Sequence, residues 1–186
     1  MSLRRASIVL IATTVTALGF WLGRDVEQRL EVFISPAPDT PELYMEEFTL
    51  TVTGTDGLPR HSIRGERMEQ YQLDGSSLVE SPVMVMNQPD TPDWTLNAEQ
   101  AWVSPDGEEV RLHGAVHMSR PEGPTHAPVD IHTRDVSVWP ESQRAESEAP
   151  VQVRSPLYQV DGTGLRADLQ TSILELLHDA DATYFP

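Results

Sequence analysis

Residues 94–123 read WTLNAEQAWVSPDGEEVRLHGAVHMSRPEG, and the alternation in this stretch decides the fold class. Leu112, Val116 and Met118 fall on one face of it, as Phe48, Leu50 and Val52 alternate with Thr49, Thr51 and Thr53 upstream. Asp106-Gly107 sits between two such runs, which is a strong short hairpin signal. The upstream stretch HSIRGERMEQYQLDGSSLVESPVMVMNQPD from His61 aligns with it, as does VDIHTRDVSVWPESQRAESEAPVQVRSPLY from Val129. The spacing repeats: Ile63 to Val83, Leu96 to Val116 and Ile131 to Val151 are each 20 residues apart. A small residue follows each opening pair (Gly65, Ala98, Thr133), and Pro82, Ala115 or Pro150 precedes each closing Val. A looser fourth unit starts at Tyr158. Further Asp-Gly pairs at 56–57, 74–75 and 161–162 read as turns between runs. Such units cannot bury an apolar face alone, and stacking them does so while leaving an open edge at each end. The expected fold is all-β, a twisted β-jellyroll or sandwich built from short repeats. Within residues 172–181, the spacing of Leu174, Leu177 and Asp181 also permits a short helix.

Composition narrows the function. The chain has 186 residues and a net charge of −16; its 13 basic residues are all Arg. With no Cys, disulfides, thiolate metal sites and cysteine nucleophiles are excluded. The acidity argues against a nucleic-acid partner, because phosphate binding needs a basic surface.

The first 41 residues differ in character. Ala6 to Gly23 carries no charge over 18 residues, a helix of about 27 Å and close to a bilayer core. Arg4 and Arg5 precede it and Trp21 lies near its far end, so residues 1–23 read as a transmembrane anchor with a cytoplasmic N-terminus. A cleaved signal peptide ending at Val15-Thr16-Ala17 is the competing reading. Residues 24–41 read as a helix extension followed by a Pro-rich linker, and residues 42–186 as the exported β-domain.

Alternation places Phe48, Leu50, Ile63, Met68, Tyr71, Val83, Val85 and Leu96 on inward faces. It does the same for Trp102, Leu112, Val116, Met118, Ile131, Val136, Val138, Val151, Val153, Val160, Leu165, Leu174 and Leu176. These positions form a dry core or line an apolar slot between two sheets. The lipid-slot candidates are Phe48, Leu50, Ile63, Met68, Tyr71, Val83, Val85, Leu96, Trp102, Val116, Met118, Val138 and Val153. Thr49, Thr51 and Thr53 mark the first edge; Ala182, Thr183 and Tyr184 mark the last. Arg60, Arg64 and Arg67 are candidates for meeting phosphates, or solvated strand ends.

No phosphate loop, dinucleotide fingerprint, nucleophile elbow or zinc-protease motif is present. His113 and His117 would share a metal on a helix, but on a strand they lie about 13 Å apart. Glu108-Glu109 and Glu146-Ser147-Glu148 read as solvated turn carboxylates. No enzyme activity, metal or cofactor is expected.

Several motifs in order carry a family resemblance: Met45-Glu46-Glu47-Phe48-Thr49-Leu50 before Asp56-Gly57, Ser62-Ile63-Arg64, Met68-Glu69-Gln70-Tyr71 and Ser81-Pro82-Val83. Trp94-Thr95-Leu96-Asn97-Ala98-Glu99, Gly114-Ala115-Val116, Thr133-Arg134-Asp135 and Gly164-Leu165-Arg166-Ala167 follow. With the anchor and spacer, the chain resembles the LptC family, the membrane-anchored periplasmic subunit of the lipopolysaccharide export machine of Gram-negative bacteria. Ala182-Thr183-Tyr184 resembles the family's final strand, close to Pro186. A Gly found near the family's last repeat is Ser155 or Pro156 here. The resemblance implies a twisted jellyroll at the inner membrane that takes lipopolysaccharide from the transmembrane subunits of an ABC transporter. It would pass the lipid to a periplasmic bridge protein of the same fold; a homodimer stays open. The alternative is a membrane-anchored adaptor that recruits partners through its β-edges and keeps a dry core.

Overall fold

A computed structural model describes residues 41–89, 91–124 and 126–185; the expected anchor at 1–23 and most of the linker lie outside the described residues. The alternating runs form eleven strands: β1 (Pro41–Thr53), β2 (Pro59–Tyr71), β3 (Ser77–Glu80), β4 (Val83–Met86), β5 (Trp94–Asn97), β6 (Gln100–Val103), β7 (Val110–Arg120), β8 (Val129–Trp139), β9 (Arg144–Ser155), β10 (Tyr158–Asp168) and β11 (Ile173–Tyr184). Every pairing is antiparallel. Residues 172–181, with their helical alternative, belong to the turn before β11 and to β11 itself.

The topology is a meander of bent strands. One register runs through Ser77↔Val103, Glu80↔Gln100, Val83↔Asn97 and Met86↔Trp94, so β3 and β4 are two halves of one strand, as are β5 and β6. The amino-terminal half of β2 pairs with β4 and its carboxy-terminal half with β3. β7 likewise pairs with β5 through one half and β6 through the other. Each long strand therefore crosses from one arm of the sheet, containing β4 and β5, to a second arm, containing β3 and β6. The strands bend along a common spine, and the apolar faces of the two arms meet.

Backbone conformation makes the bends. Glu47, Gly114, Asp135, Gly164 and Asp179 have positive φ in mid-strand, and Ser81 has φ 50° between β3 and β4. Left-handed residues inside strands bulge the ladder and re-aim the side chains that follow. On β8 the inward set shifts from Val129, Ile131 and Thr133 to Val136 and Val138 across Asp135. On β10 it shifts at Gly164 to Leu165 and Ala167.

Amides and carbonyls released from the ladder find side chains. Gly114 N–H donates to Asp135 Oδ1 at 3.0 Å and Ala115 N–H to Glu99 Oε1 at 3.3 Å. In the interior, Thr133 donates to Pro150 O at 3.0 Å, and Ser147 donates to Arg134 O at 2.7 Å. The repeated small and Pro positions lie at these bends, where the arms leave no room. A Cβ on Gly65 would sit 2.6 Å from Val79 Cγ1 and 2.9 Å from Glu80 O.

Three Asp-Gly pairs are turns of one design. The carboxylates of Asp56, Asp74 and Asp106 accept the N–H two residues on at 3.1, 3.0 and 3.0 Å. The Ser76 amide holds the Asp74 pKa below its usual value, and the Ser104 hydroxyl does so first for Asp106. The fourth pair, Asp161-Gly162, is not a turn: it lies inside β10 at a register shift. A Cβ on Gly162 would meet Leu176 Cδ2 at 2.7 Å and His178 O at 3.2 Å, so a side chain there would make Leu176 shift.

Candidate functional site

The arms enclose a cavity of about 830 Å³ near the β1 end of the sheet. Leu50, Val52, Ile63 and Met84 line it from one arm, and Val103 and Val110 from the other. Thr53 to Thr55, Asn87 to Pro89, Asp106 to Glu108 and the Pro140–Gln143 turn form its mouth. Further along, the two rims touch: Gln88 Nε2 donates to Gln143 Oε1 at 3.1 Å, and Gln143 Nε2 to Asn87 O at 3.3 Å. Leu50 and Val52 remain 42% and 50% exposed, although they face the groove, because β1 has no neighbour beyond it.

The predicted slot residues divide by the phase of their strand. Phe48, Met68, Leu96, Val116, Met118, Val138 and Val153 are buried in the core; Leu50 and Ile63 line the cavity. Tyr71, Val83, Val85 and Trp102 face outward, contrary to expectation. In each case the strand reverses phase at the spine: inward positions pass from Ile63 to Met68 on β2, from Val79 to Met84 across Ser81, and from Leu96 to Ala101 across Ala98-Glu99. Tyr71 bonds Glu69 on the outer face, and Trp102 lies under the Arg111 guanidinium, 4.8 Å from its ring centroid. The inward set drawn from the sequence omitted Met84, Met86, Trp94, Val103 and Val110, and also Val52, although Val52 alternates in step with Phe48 and Leu50. Val83 to Met86 is apolar throughout, so alternation within that run carries no phase, and only the bend at Ser81 decides that Met84 and Met86 face inward.

Charge is kept mostly outside. Arg60 lies at the mouth and is tied to Asp56 at 3.0 Å, whereas Arg67 pairs with Glu69 on the outer face. Arg64 is exposed. Glu108, expected in a solvated turn, borders the mouth. His61 lines the cavity, and burial lowers its pKa from the ordinary 6.5. The His117 ring stacks on His132 at 4.6 Å and its Nε2 lies 2.9 Å from Asp130 Oδ1.

The two expected edges are edges: β1 pairs only with β2, and β11 only with β10, among the described residues. Asn87 N–H donates to Arg60 O at 2.9 Å. Peptide groups alternate sides along an antiparallel strand, so Arg60, Ser62 and Arg64 point toward β4, and His61 and Ile63 toward β1. Opposite them, Val52 and Leu50 bond β2, and the amides of Thr49 and Thr51 point to the open side. Thr53 stands opposite Pro59, which has no N–H. At the other end Phe185 N–H donates to Leu157 O at 2.9 Å. In that register Thr183 bonds β10, while the amides of Ala182 and Tyr184 point outward.

The sequence model of the family described as "LptC: Lipopolysaccharide-assembly, LptC-related" matches residues 8–185. No curated protein matches the chain. Among solved structures, the chain is similar to the crystal structure of LptH, the LptA homologous periplasmic component of the conserved lipopolysaccharide transport device from Pseudomonas aeruginosa. The identity is 12%, the match covers 68% of this chain and 95% of that one, and the TM-score is 0.55. At that identity the likeness concerns the fold, an antiparallel sheet consistent with a β-jellyroll. The family match spans nearly the whole sequence, motifs and bends included, and the chain belongs to the LptC-related family of lipopolysaccharide assembly.

Proposed function

We propose that the chain carries lipopolysaccharide by holding its acyl chains between the two arms, without catalysing a reaction. The observation that carries this reading is the cavity of about 830 Å³ lined by Leu50, Val52, Ile63 and Met84, of which Leu50 and Val52 stay partly exposed on the edge strand β1. Burying a CH₂ group is worth about 0.8 kcal/mol, so a twelve-carbon chain offers roughly 9 kcal/mol of gross gain on entering such a groove. Sugars would stay at the mouth among Thr53, Thr55, Asn87 and Gln143. Family membership supports a role in lipopolysaccharide transport. In the finer reading, residues 6–23 hold the domain at the inner membrane with its β-domain in the periplasm. β1 receives lipid from the transmembrane subunits of an ABC transporter, and β11 hands it to a bridge protein of the same fold. Edge pairing is the chemistry available to both contacts, since each edge presents outward N–H and C=O groups.

A photo-crosslinking side chain tests the groove in cells. Placed at Ile63 or Leu50, it should capture lipopolysaccharide; placed at Trp102 or Val85, on the outer face, it should not. Equal capture at all four positions would mean surface adhesion, and capture at none would leave the dry-core adaptor.

A further inference from the structure

The buried side-chain polar atoms without a protein partner, among the described residues, are His61 Nδ1, Trp94 Nε1, Arg120 Nε and Nη1, and Ser155 Oγ. They belong to four strands far apart in sequence, and they fall on one line. His61 pairs with Met86, and Met86 with Trp94. The Thr95↔Ser119 register continues to set Trp94 beside Arg120, and Arg120 pairs with Val129. The Asp130↔Arg154 register likewise sets Val129 beside Ser155. A single cross-strand rung thus runs beneath the rim of the β4–β5 arm, on the face that carries Met86, Trp94 and Val129 into the core. It starts at the cavity, which His61 lines.

Arg120 is the centre of this rung. It is buried, with 5% relative exposure; its Nη2 donates to Ala127 O at 3.2 Å, and its Cζ lies 5.3 Å from the Trp94 ring centroid. No carboxylate lies within ion-pair distance of it among the described residues, in a chain with 29 acidic side chains. A buried cation without a counter-charge is costly, and removing it for an apolar residue of like size is often neutral or stabilising. Trp94 Nε1 and the arginine nitrogens are donors, Ser155 can donate, and neutral His61 can donate from Nδ1 in one tautomer. Trp94 and Arg120 are neighbours on this rung, with His61 two strands away at the cavity and Ser155 two strands away on the other side. Adjoining donors on an inner face suit an oxygen-rich anion.

We propose that the Trp94–Arg120 step of the rung receives the phosphate ester of a lipid whose acyl chains lie in the groove, with Arg120 supplying the charge; this rests on the groove reading above. Entry would require the rims to part at the Gln88–Gln143 contact, which consists of neutral hydrogen bonds that water can replace.

The test is binding of lipid A to the full-length chain in detergent with chelator present, so that divalent cations do not bridge phosphates to the acidic surface. Bisphosphorylated lipid A, dephosphorylated lipid A and inorganic phosphate are compared on wild type, Arg120→Met and Trp94→Phe. Wild type should prefer the phosphorylated lipid by about tenfold or more, the worth of a charge-assisted hydrogen bond. Arg120→Met should lose that preference, still bind dephosphorylated lipid A, and melt no lower than wild type. Trp94→Phe, which keeps the ring and loses one donor, should show a reduced preference. Equal binding of both lipids by wild type would overturn the rung and leave the groove intact. Binding of neither lipid would sink the groove and the rung with it. Phosphate binding that gives the lipid no advantage would assign the rung to a free anion instead. An Arg120→Met variant that melts well below wild type and keeps the preference would make the arginine structural.

Discussion

Replacing Gly65 by Ala tests whether the spine is a close approach of the two arms or only a convenient bend. Gly65 lies mid-strand in β2 and is not among the glycines with positive φ. A backbone of that kind accepts Ala, and shrinking the freedom of the unfolded chain then stabilises a protein by about 0.4–1 kcal/mol. The surroundings argue for the opposite sign. The new Cβ would lie 2.6 Å from Val79 Cγ1, 2.9 Å from Glu80 O and 3.1 Å from Phe48 Cε1. Val79 is fully buried and Glu80 contributes backbone, so neither can yield without moving β3 off β2. Overpacking of this kind costs about 1–3 kcal/mol. The net expectation is a loss of about 1–2 kcal/mol, a sizeable part of a marginal stability. Urea unfolding followed by tryptophan fluorescence, to which buried Trp94 contributes, measures it. Gly107→Ala is the control: nothing lies within 4 Å of its Cβ, and only the φ of 73° opposes it. A Gly65→Ala protein as stable as wild type, or more stable, would refute the close approach.

Two further outcomes follow from the same geometry. His61 has a pKa lowered by burial, so between that pKa and 6.5 the unfolded chain binds the proton that the folded chain refuses; stability should be level above pH 6.5 and fall as pH drops through this window. Melting curves from pH 7.5 to 5 should show a smaller fall for His61→Leu, and an identical fall would assign the pH dependence to other groups. At the edges, Thr51→Pro and Tyr184→Pro each remove an outward amide; in pull-downs the first should weaken transporter binding alone and the second bridge binding alone. Thr183→Pro removes a bond to β10 instead and should lower the melting temperature as well, and loss of both partners by a folded Tyr184→Pro protein would refute separate edges.

The turns, the repeat and the edges were legible because their signals are local. Asp-Gly with Gly57, Gly75 and Gly107 at positive φ is a turn wherever it falls between alternating runs, and the 20-residue spacing is one bent strand out and the next one back. The phase reversals were not legible. Three occur where Glu47, Ser81 and Asp135 adopt a left-handed conformation, and nothing in those residue types announces it as a glycine would; those on β2 between Ile63 and Met68 and across Ala98-Glu99 have no left-handed residue at all. Counting alternation straight through a bend put Val83 and Val85 inside in place of Met84 and Met86. The same error turned Tyr71 and Trp102 inward. The polar rung was hidden for a different reason: His61, Trp94, Arg120 and Ser155 are unrelated in sequence, and only the register brings them into line.

The two edges differ along their length in a way that bears on where a partner strand can add. In β1 the half belonging to the β3–β6 arm, Pro41 to Glu47, carries Glu42, Glu46 and Glu47, whereas the half in the β4–β5 arm, Phe48 to Thr53, carries no charge. In β11, Glu175 lies on the β3–β6 arm and Asp179 at the bend, while Asp181 stands on the β4–β5 arm just before the uncharged Ala182, Thr183 and Tyr184. Charged residues on an edge oppose strand addition, because an incoming backbone must desolvate them. Both uncharged stretches pair within the β4–β5 arm, Thr51 opposite Ser62 on β2 and Thr183 opposite Gln159 on β10. A strand added at either end meets least opposition on that one arm. Added strands would lengthen the arm that carries the polar rung and cover Leu50 and Val52, the apolar groove residues that β1 leaves exposed. On the β3–β6 arm, Glu42 and Glu46 at one edge and Glu175 at the other oppose such addition, so the partners would build on one arm and leave the other unextended.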